Sequence, residues 1–138
     1  ASYNVVNENR QYLTDLVSNY ADIVFANEEE ARALTGKEPE EALELIASLC
    51  DIAVVKVGKK GALVKHGGLS CQIAPVEAKV IDTTGAGDMF AAGFLWGLVN
   101  GKTLQQCGYA GSLLAANIIE VTGAKMDDER WNRIFEAL

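Results

Sequence analysis

The sequence predicts an α/β layered fold, a mainly parallel sheet flanked by helices, with residues 1–138 forming a single α/β domain. Three observations predict it. Two short apolar runs, residues 23–26 and 52–57, lack polar alternation, as strands buried on both faces require. Segments with apolar residues at helical spacing lie between and beyond these runs. Glycines, and a proline placed to open a helix, punctuate the boundaries. With 138 residues and a hydrophobic content of 49%, the chain is long and apolar enough for a core of its own.

Residues 7–20 read as a helix with Leu13, Leu16, Val17 and Tyr20 on one face. Residues 23–26 form a buried strand. Residues 28–35 form a short helix capped by Asn27 and stopped by Gly36. Pro39 suits the first turn of the next helix, which carries Ala42, Leu43, Leu45, Ile46 and Leu49. Residues 52–57 are β-rich and continuous, the pattern of a central parallel strand. Gly58-Lys59-Lys60-Gly61 turns into a strand over 62–65, and Gly67-Gly68 into another around 70–73. After Val80 and Ile81, a glycine loop opens a helix ending near residue 99. Thr103 caps a further helix that reaches about residue 121, and a last one spans 128–137, anchored by Trp131, Ile134 and Phe135. Gly93 and Gly97, four apart, predict a closely packed neighbour, with Phe90, Phe94 and Leu98 in the core.

Asp and Glu outnumber Lys and Arg, 19 to 12, for a formal net charge of -7. That balance disfavours nucleic acid and membrane surfaces as partners, since both need basic patches. The apolar runs are far too short for a membrane-spanning helix. Cys50, Cys71 and Cys107 are scattered, without C-x-x-C spacing, and there is a single His66. This set supports neither a disulfide framework nor a zinc site, and reads as the reduced thiols of a cytoplasmic protein.

The most informative stretch is Asp82-Thr83-Thr84-Gly85-Ala86-Gly87-Asp88, which runs directly into a helical pattern. Small residues let backbone N–H groups approach an anion, and the positive end of a helix dipole favours negative charge. Asp88 places a base beside that cradle, the minimum apparatus for moving a phosphoryl group onto a hydroxyl. A glycine-rich helix start with Asp88 as its cap explains the same residues. Two other motifs are excluded. A dinucleotide fingerprint would place a third glycine where Phe90 stands. The stretch from Gly97 to Thr103 has three residues between its glycines where a P-loop has four.

From Asp82 to Leu95 the chain resembles, at each constrained position, the C-terminal signature of the PfkB (ribokinase-like) carbohydrate kinases. The resemblance implies a ribokinase-like layered fold and transfer of the γ-phosphate of ATP to an alcohol of a sugar, nucleoside or related small molecule. It implies Gly85, Ala86 and Gly87 as an anion hole and Asp88 as the catalytic base. Asn27 and Glu30 match the family's Asn-x-x-Glu, in which the Glu is associated with Mg²⁺ and phosphate through water. Helix capping by Asn27, with three acidic residues favouring the dipole, explains them equally. Gly58 and Gly61 match the family's Gly-x-x-Gly loop along the ribose and phosphates, and Lys56 stands where a Thr is frequent. A glycine-flanked turn with solvated lysines is the other reading.

The same resemblance assigns residues 110–122 to the adenine wall, with Asn117 either a polar contact for nucleotide or part of a helix–helix contact. Asp82 and Thr84 match positions linked to a monovalent cation such as K⁺. Ser2-Tyr3-Asn4-Val5-Val6, residues 21–27 and residues 91–98 look most like the bacterial adenosine-kinase-like branch. Family members are more than twice this long. The chain is therefore expected to be the C-terminal, nucleotide-binding portion of a longer kinase, inactive alone and forming a homo-oligomer. ATP, Mg²⁺ and a small-molecule alcohol are the expected ligands. The alternative is a non-catalytic nucleotide-binding regulatory module of the same fold, whose expected mark would be a lost base or a broken glycine loop; here both are intact.

Overall fold

The structure, a computed structural model, describes residues 3–138, so Ser2 of the adenosine-kinase-like stretch lies outside the described residues. Contacts gather the chain into two compact units, one up to Gln72 and one from Ile73 to Leu138.

The first unit carries helices α1 (Tyr3–Glu8), α2 (Arg10–Tyr20), α3 (Glu28–Thr35) and α4 (Pro39–Ala47). Its strands are β1 (Ile23–Asn27), β2 (Ile52–Lys56), β3 (Ala62–His66) and β4 (Leu69–Ile73), the last of which ends on the first residue of the second unit. The strands lie in the order β1-β2-β3-β4, with β1 parallel to β2 and β2 antiparallel to β3. A parallel return needs a crossover, which α3 and α4 supply, whereas the short turn at Gly58–Lys60 can only reverse the chain. The α/β layering read from the sequence is present. β2 is the central strand expected, with Ile52, Ala53, Val54 and Val55 all buried. One core gathers Ala26 and Ala31 with Leu43 and Ile46 of α4 and Ala53 and Val55 of β2.

The second unit holds α5 (Ala86–Val99), α6 (Leu104–Ile118) and α7 (Asp128–Ala137). The predicted close approach is there. A Cβ on Gly93 would lie 2.5 Å from the Ala110 carbonyl oxygen, and one on Gly97 would lie 2.7 Å from the Cys107 sulfur. Phe90 and Phe94 are buried and stacked, while Leu98 is only half-buried. Thr103 caps α6 in a reciprocal box with Gln106. Leu114, Ile118, Met126 and Ile134 form the second core.

Further expectations change. The helix foreseen over 7–20 is two helices, divided at Asn9. The Asn9 side-chain amide donates to the Val5 carbonyl at 3.0 Å, beside the backbone bond from Asn9 N–H to the same oxygen. Local bonding of this kind lets Asn compete with a continuous ladder. Tyr20 is 81% exposed, unlike Leu13, Leu16 and Val17 of the face read with it, which are half-buried. Phe135 is 59% exposed and stacks on Trp131 rather than entering the core, which Ile134 does. No helix among the described residues is long and apolar enough to cross a membrane.

Candidate active site

The candidate residues fall into two groups, each assembled within one unit. In the first, the parallel pairing of β1 and β2 sets Asn27 directly beside Lys56 at the carboxyl ends of both strands. That edge of an open α/β sheet is where ligands bind. Asn27 Oδ1 accepts from the Glu30 N–H at 2.8 Å, and Glu30 Oε2 accepts from the Asn27 N–H at 3.1 Å. The structure thus shows the full capping box, so helix capping accounts for the spacing of this pair. Lys56 is half-buried, and it leads into the turn at Gly58–Lys60. Val57 and Gly61 close that turn with a backbone bond of 2.9 Å, and the Lys59 and Lys60 side chains stand in solvent. The glutamate at position 28, not singled out by its sequence context, reaches towards Gly58: a Cβ there would be 4.0 Å from Glu28 Oε1.

The second group is the loop into α5. Gly85 has φ 82° and ψ 0°, a left-handed conformation in which a Cβ would be strained and would also lie 3.2 Å from the Ala124 Cβ. This turn leaves the N–H groups of Gly87 and Asp88 without an acceptor among the described residues, whereas Ala86 N–H is taken by the Thr83 carbonyl at 3.2 Å. Of the three amides assigned to an anion hole, Ala86 is therefore already engaged. Two adjacent unsatisfied N–H groups at the positive end of a 14-residue helix favour an anion. Asp88 is exposed in the first turn of that helix.

Asp82 shapes the turn. Its Oδ1 accepts from the Thr84 hydroxyl at 2.6 Å and the Thr84 N–H at 2.9 Å, and its Oδ2 accepts from the Gly123 N–H at 2.9 Å. The Thr84 hydroxyl, then the two backbone donors, hold the Asp82 carboxyl below the usual range. Three protein donors thus converge on this carboxylate. Asn117 takes the second of its two open readings. Its amide donates to Leu113 O, and its Oδ1 accepts from Arg130 of α7 at 3.0 Å. Much of the expected adenine wall is likewise occupied by packing: Gly111 faces Phe90 of α5, and Leu114 and Ile118 belong to the second core.

Residues distant in sequence complete this region. Glu120 Oε2 accepts from the Lys79 N–H, and its Oε1 accepts from Arg130, both at 2.9 Å. The Lys79 N–H first, and the Arg130 guanidinium second, push the Glu120 carboxyl below its ordinary value. No local pattern marks Gly123, Glu120 or Arg130, because their partners lie 10 to 41 residues away. Burial pushes the Cys50 and Cys71 thiols up, which opposes the thiolate a nucleophile needs.

Comparison with known proteins agrees with the fold. The profile of the pfkB family carbohydrate kinases matches residues 3–130. An uncharacterized sugar kinase of Archaeoglobus fulgidus is 39% identical over 104 residues, which are 75% of this chain and 42% of that protein. The crystal structure of adenosine kinase from Sinorhizobium meliloti superposes with a TM-score of 0.90 at 35% identity, covering 99% of this chain and 43% of that one. Ribokinase from Thermotoga maritima gives 0.78 at 26% identity, covering 89% and 44%. The chain thus spans less than half the length of these relatives, and its architecture is ribokinase-like. On this match and this fold, the chain belongs to the pfkB family of carbohydrate kinases.

Proposed function

We propose that this chain is the nucleotide-binding portion of a longer ATP-dependent kinase that phosphorylates an alcohol group of a sugar or nucleoside in the cytoplasm. The observation that carries the reading is the start of α5, where unpaired amides of Gly87 and Asp88 stand beside an exposed carboxylate. Those amides would bind phosphate oxygens, with a glycine backbone allowing close approach. Asp88 would accept the proton of the attacking hydroxyl. In a loose transition state that proton leaves late, so a carboxylate of ordinary basicity serves, and positioning supplies most of the rate. Within the first unit, Lys56 and the turn at Gly58–Lys60 lie at the carboxyl ends of the strands, the edge where an open α/β sheet binds ligands.

The Asn27–Glu30 pair fits Mg²⁺ in a restricted sense. One Glu30 oxygen is spent on the capping box, so this side chain would hold the ion's water shell rather than enclose the ion. When bound, Mg²⁺ offsets charge on the transferred phosphates. Sequence relatives that are sugar and nucleoside kinases support the class of acceptor alcohol.

A coupled ADP-release assay of the full-length kinase over a panel of sugars and nucleosides tests this reading. Substrate-dependent ADP release is expected. ATP binding without turnover on any alcohol would favour a regulatory module instead.

A further inference from the structure

The backbone from residue 74 to residue 85 carries no helix or strand, yet it delivers Asp82 and Gly85 to the start of α5. Its order comes from a few bonds that converge on the chain just after α6. The N–H groups of Ile81 and Asp82 both donate to Ile119 O, at 2.7 and 3.1 Å. Gly123 N–H donates to Asp82, and Lys79 N–H donates to Glu120. The receiving segment is itself weakly tied. Its own backbone bonds, Glu120 N–H to Asn117 O and Val121 N–H to Ile118 O, are each 3.3 Å long. A third element braces it: Arg130 Nη1 reaches Glu120 Oε1 at 2.9 Å and Asn117 Oδ1 at 3.0 Å. Both charged side chains are largely withdrawn from water, 18% exposed for Arg130 and 31% for Glu120, so this pair is screened less than a surface ion pair.

We propose that Glu120 and Arg130 are positioning residues for the phosphate-facing loop of residues 82–88. The Glu120 carboxylate spans two donors. One oxygen fixes the backbone at Lys79, and the other is locked by α7, so the carbonyl of Ile119 is presented to Ile81 and Asp82 at a set distance. Asp82 then fixes Thr84, and with it the left-handed turn that aims the amides of Gly87 and Asp88. A glutamine cannot replace this function. It has one acceptor oxygen, and its NH₂ would face a donor at either Lys79 or Arg130. The proposal rests on the reading of the loop as a phosphate cradle.

The test uses this 138-residue chain, with two readouts on wild type, Glu120→Gln, Arg130→Ala and Arg130→Lys. The first is amide hydrogen exchange. Glu120→Gln and Arg130→Ala should speed exchange at Ile81, Asp82, Thr84 and Gly123 by roughly ten- to a hundredfold, as loss of a charge-assisted bond predicts. Arg130→Lys should restore most of the protection, and the β2 amides should be unchanged in every variant. The second readout is calorimetry with ATP·Mg²⁺, in which the two loosened variants should bind about tenfold more weakly. Unchanged exchange at Ile81, Asp82 and Gly123 in Glu120→Gln overturns the proposal whatever the nucleotide result. Accelerated exchange in β2 as well overturns it in favour of a general role in folding. A loosened loop in a chain whose wild type binds no ATP·Mg²⁺ supports the positioning pair and counts against the phosphate-cradle reading.

Discussion

Asp88 stands exposed in the first turn of α5, just beyond a left-handed glycine. Asp88→Asn keeps the size of the side chain and its place near the helix start but removes the base. In the full-length kinase this should lower kcat by ~10²–10⁴-fold with little change in ATP affinity. Near wild-type turnover would remove Asp88 from the mechanism. Glu30→Gln discriminates between the two readings of the capping box. Glutamine also serves at the third helical position, so α3 should keep its stability. One negative charge is lost, and on the Mg²⁺ reading the Mg²⁺ concentration needed for half-maximal activity at fixed ATP should rise; an unchanged Mg²⁺ curve assigns Glu30 to capping alone. Asp82 carries a pH dependence. Its folded carboxyl titrates below the ordinary value, so its contribution is complete above about pH 4 and is lost as pH falls through the folded value. Exchange protection of the Thr84 and Gly123 amides should therefore collapse on acidification below about pH 4, and Asp82→Asn should flatten that dependence. The signature stretch was legible because its residues are consecutive. Glu120 and Arg130 were not, because their meaning lies in bonds to Lys79 and to each other across a fold not yet formed.

Element by element, the helix ends marked by dedicated chemistry were the readable ones. Asn27 before α3, Pro39 at the start of α4, Thr103 before α6 and Asp127 before α7 each stand at a predicted boundary. The end of α6 was read too long. Ile119 and Val121 continue the apolar spacing beyond Ile118, and what ends the helix is the turn used to receive the loop at Ile81 and Asp82. The pairing of α5 and α6 offers a direct test of the close approach at Gly93. Alanine is favoured over glycine in a helix by about 1 kcal/mol. Here its methyl group would sit 2.5 Å from a backbone oxygen of the neighbouring helix, which cannot swing aside as a flexible side chain can. Overpacking should win, and Gly93→Ala should destabilise the chain by about 1–3 kcal/mol in denaturant titration. A neutral or stabilising result would mean that the two helices separate at little cost.

At the scale of the molecule, the decisive fact is coverage: 99% of this chain superposes on less than half of an adenosine kinase. On the proposed reading the chain carries part of an ATP site and lacks the groups that hold an acceptor alcohol and exclude water during transfer. The 138-residue chain should bind ATP·Mg²⁺ weakly by calorimetry and remain at background in ADP-release assays across sugars and nucleosides. Robust turnover would show it to be a complete kinase. Among the described residues β1 lies at the end of the strand order, beside β2, and a strand at a sheet edge can pair with another chain. Concentration-dependent association in sedimentation is the expected behaviour, and a monomer at all concentrations would show that the edge is protected.

Strand and helix periodicity, capping residues and a fourteen-residue signature determined the family, the α/β class and the position of Asp88, because each is written in neighbouring residues. Only the tertiary structure decided what the ambiguous polar residues do. Asn117 turned towards Arg130, and Asp82 gathered the N–H of the distant Gly123. The physical reason is that a polar group's role depends on which donor or acceptor lies within about 3 Å, and the local sequence names the group but not its distant partner.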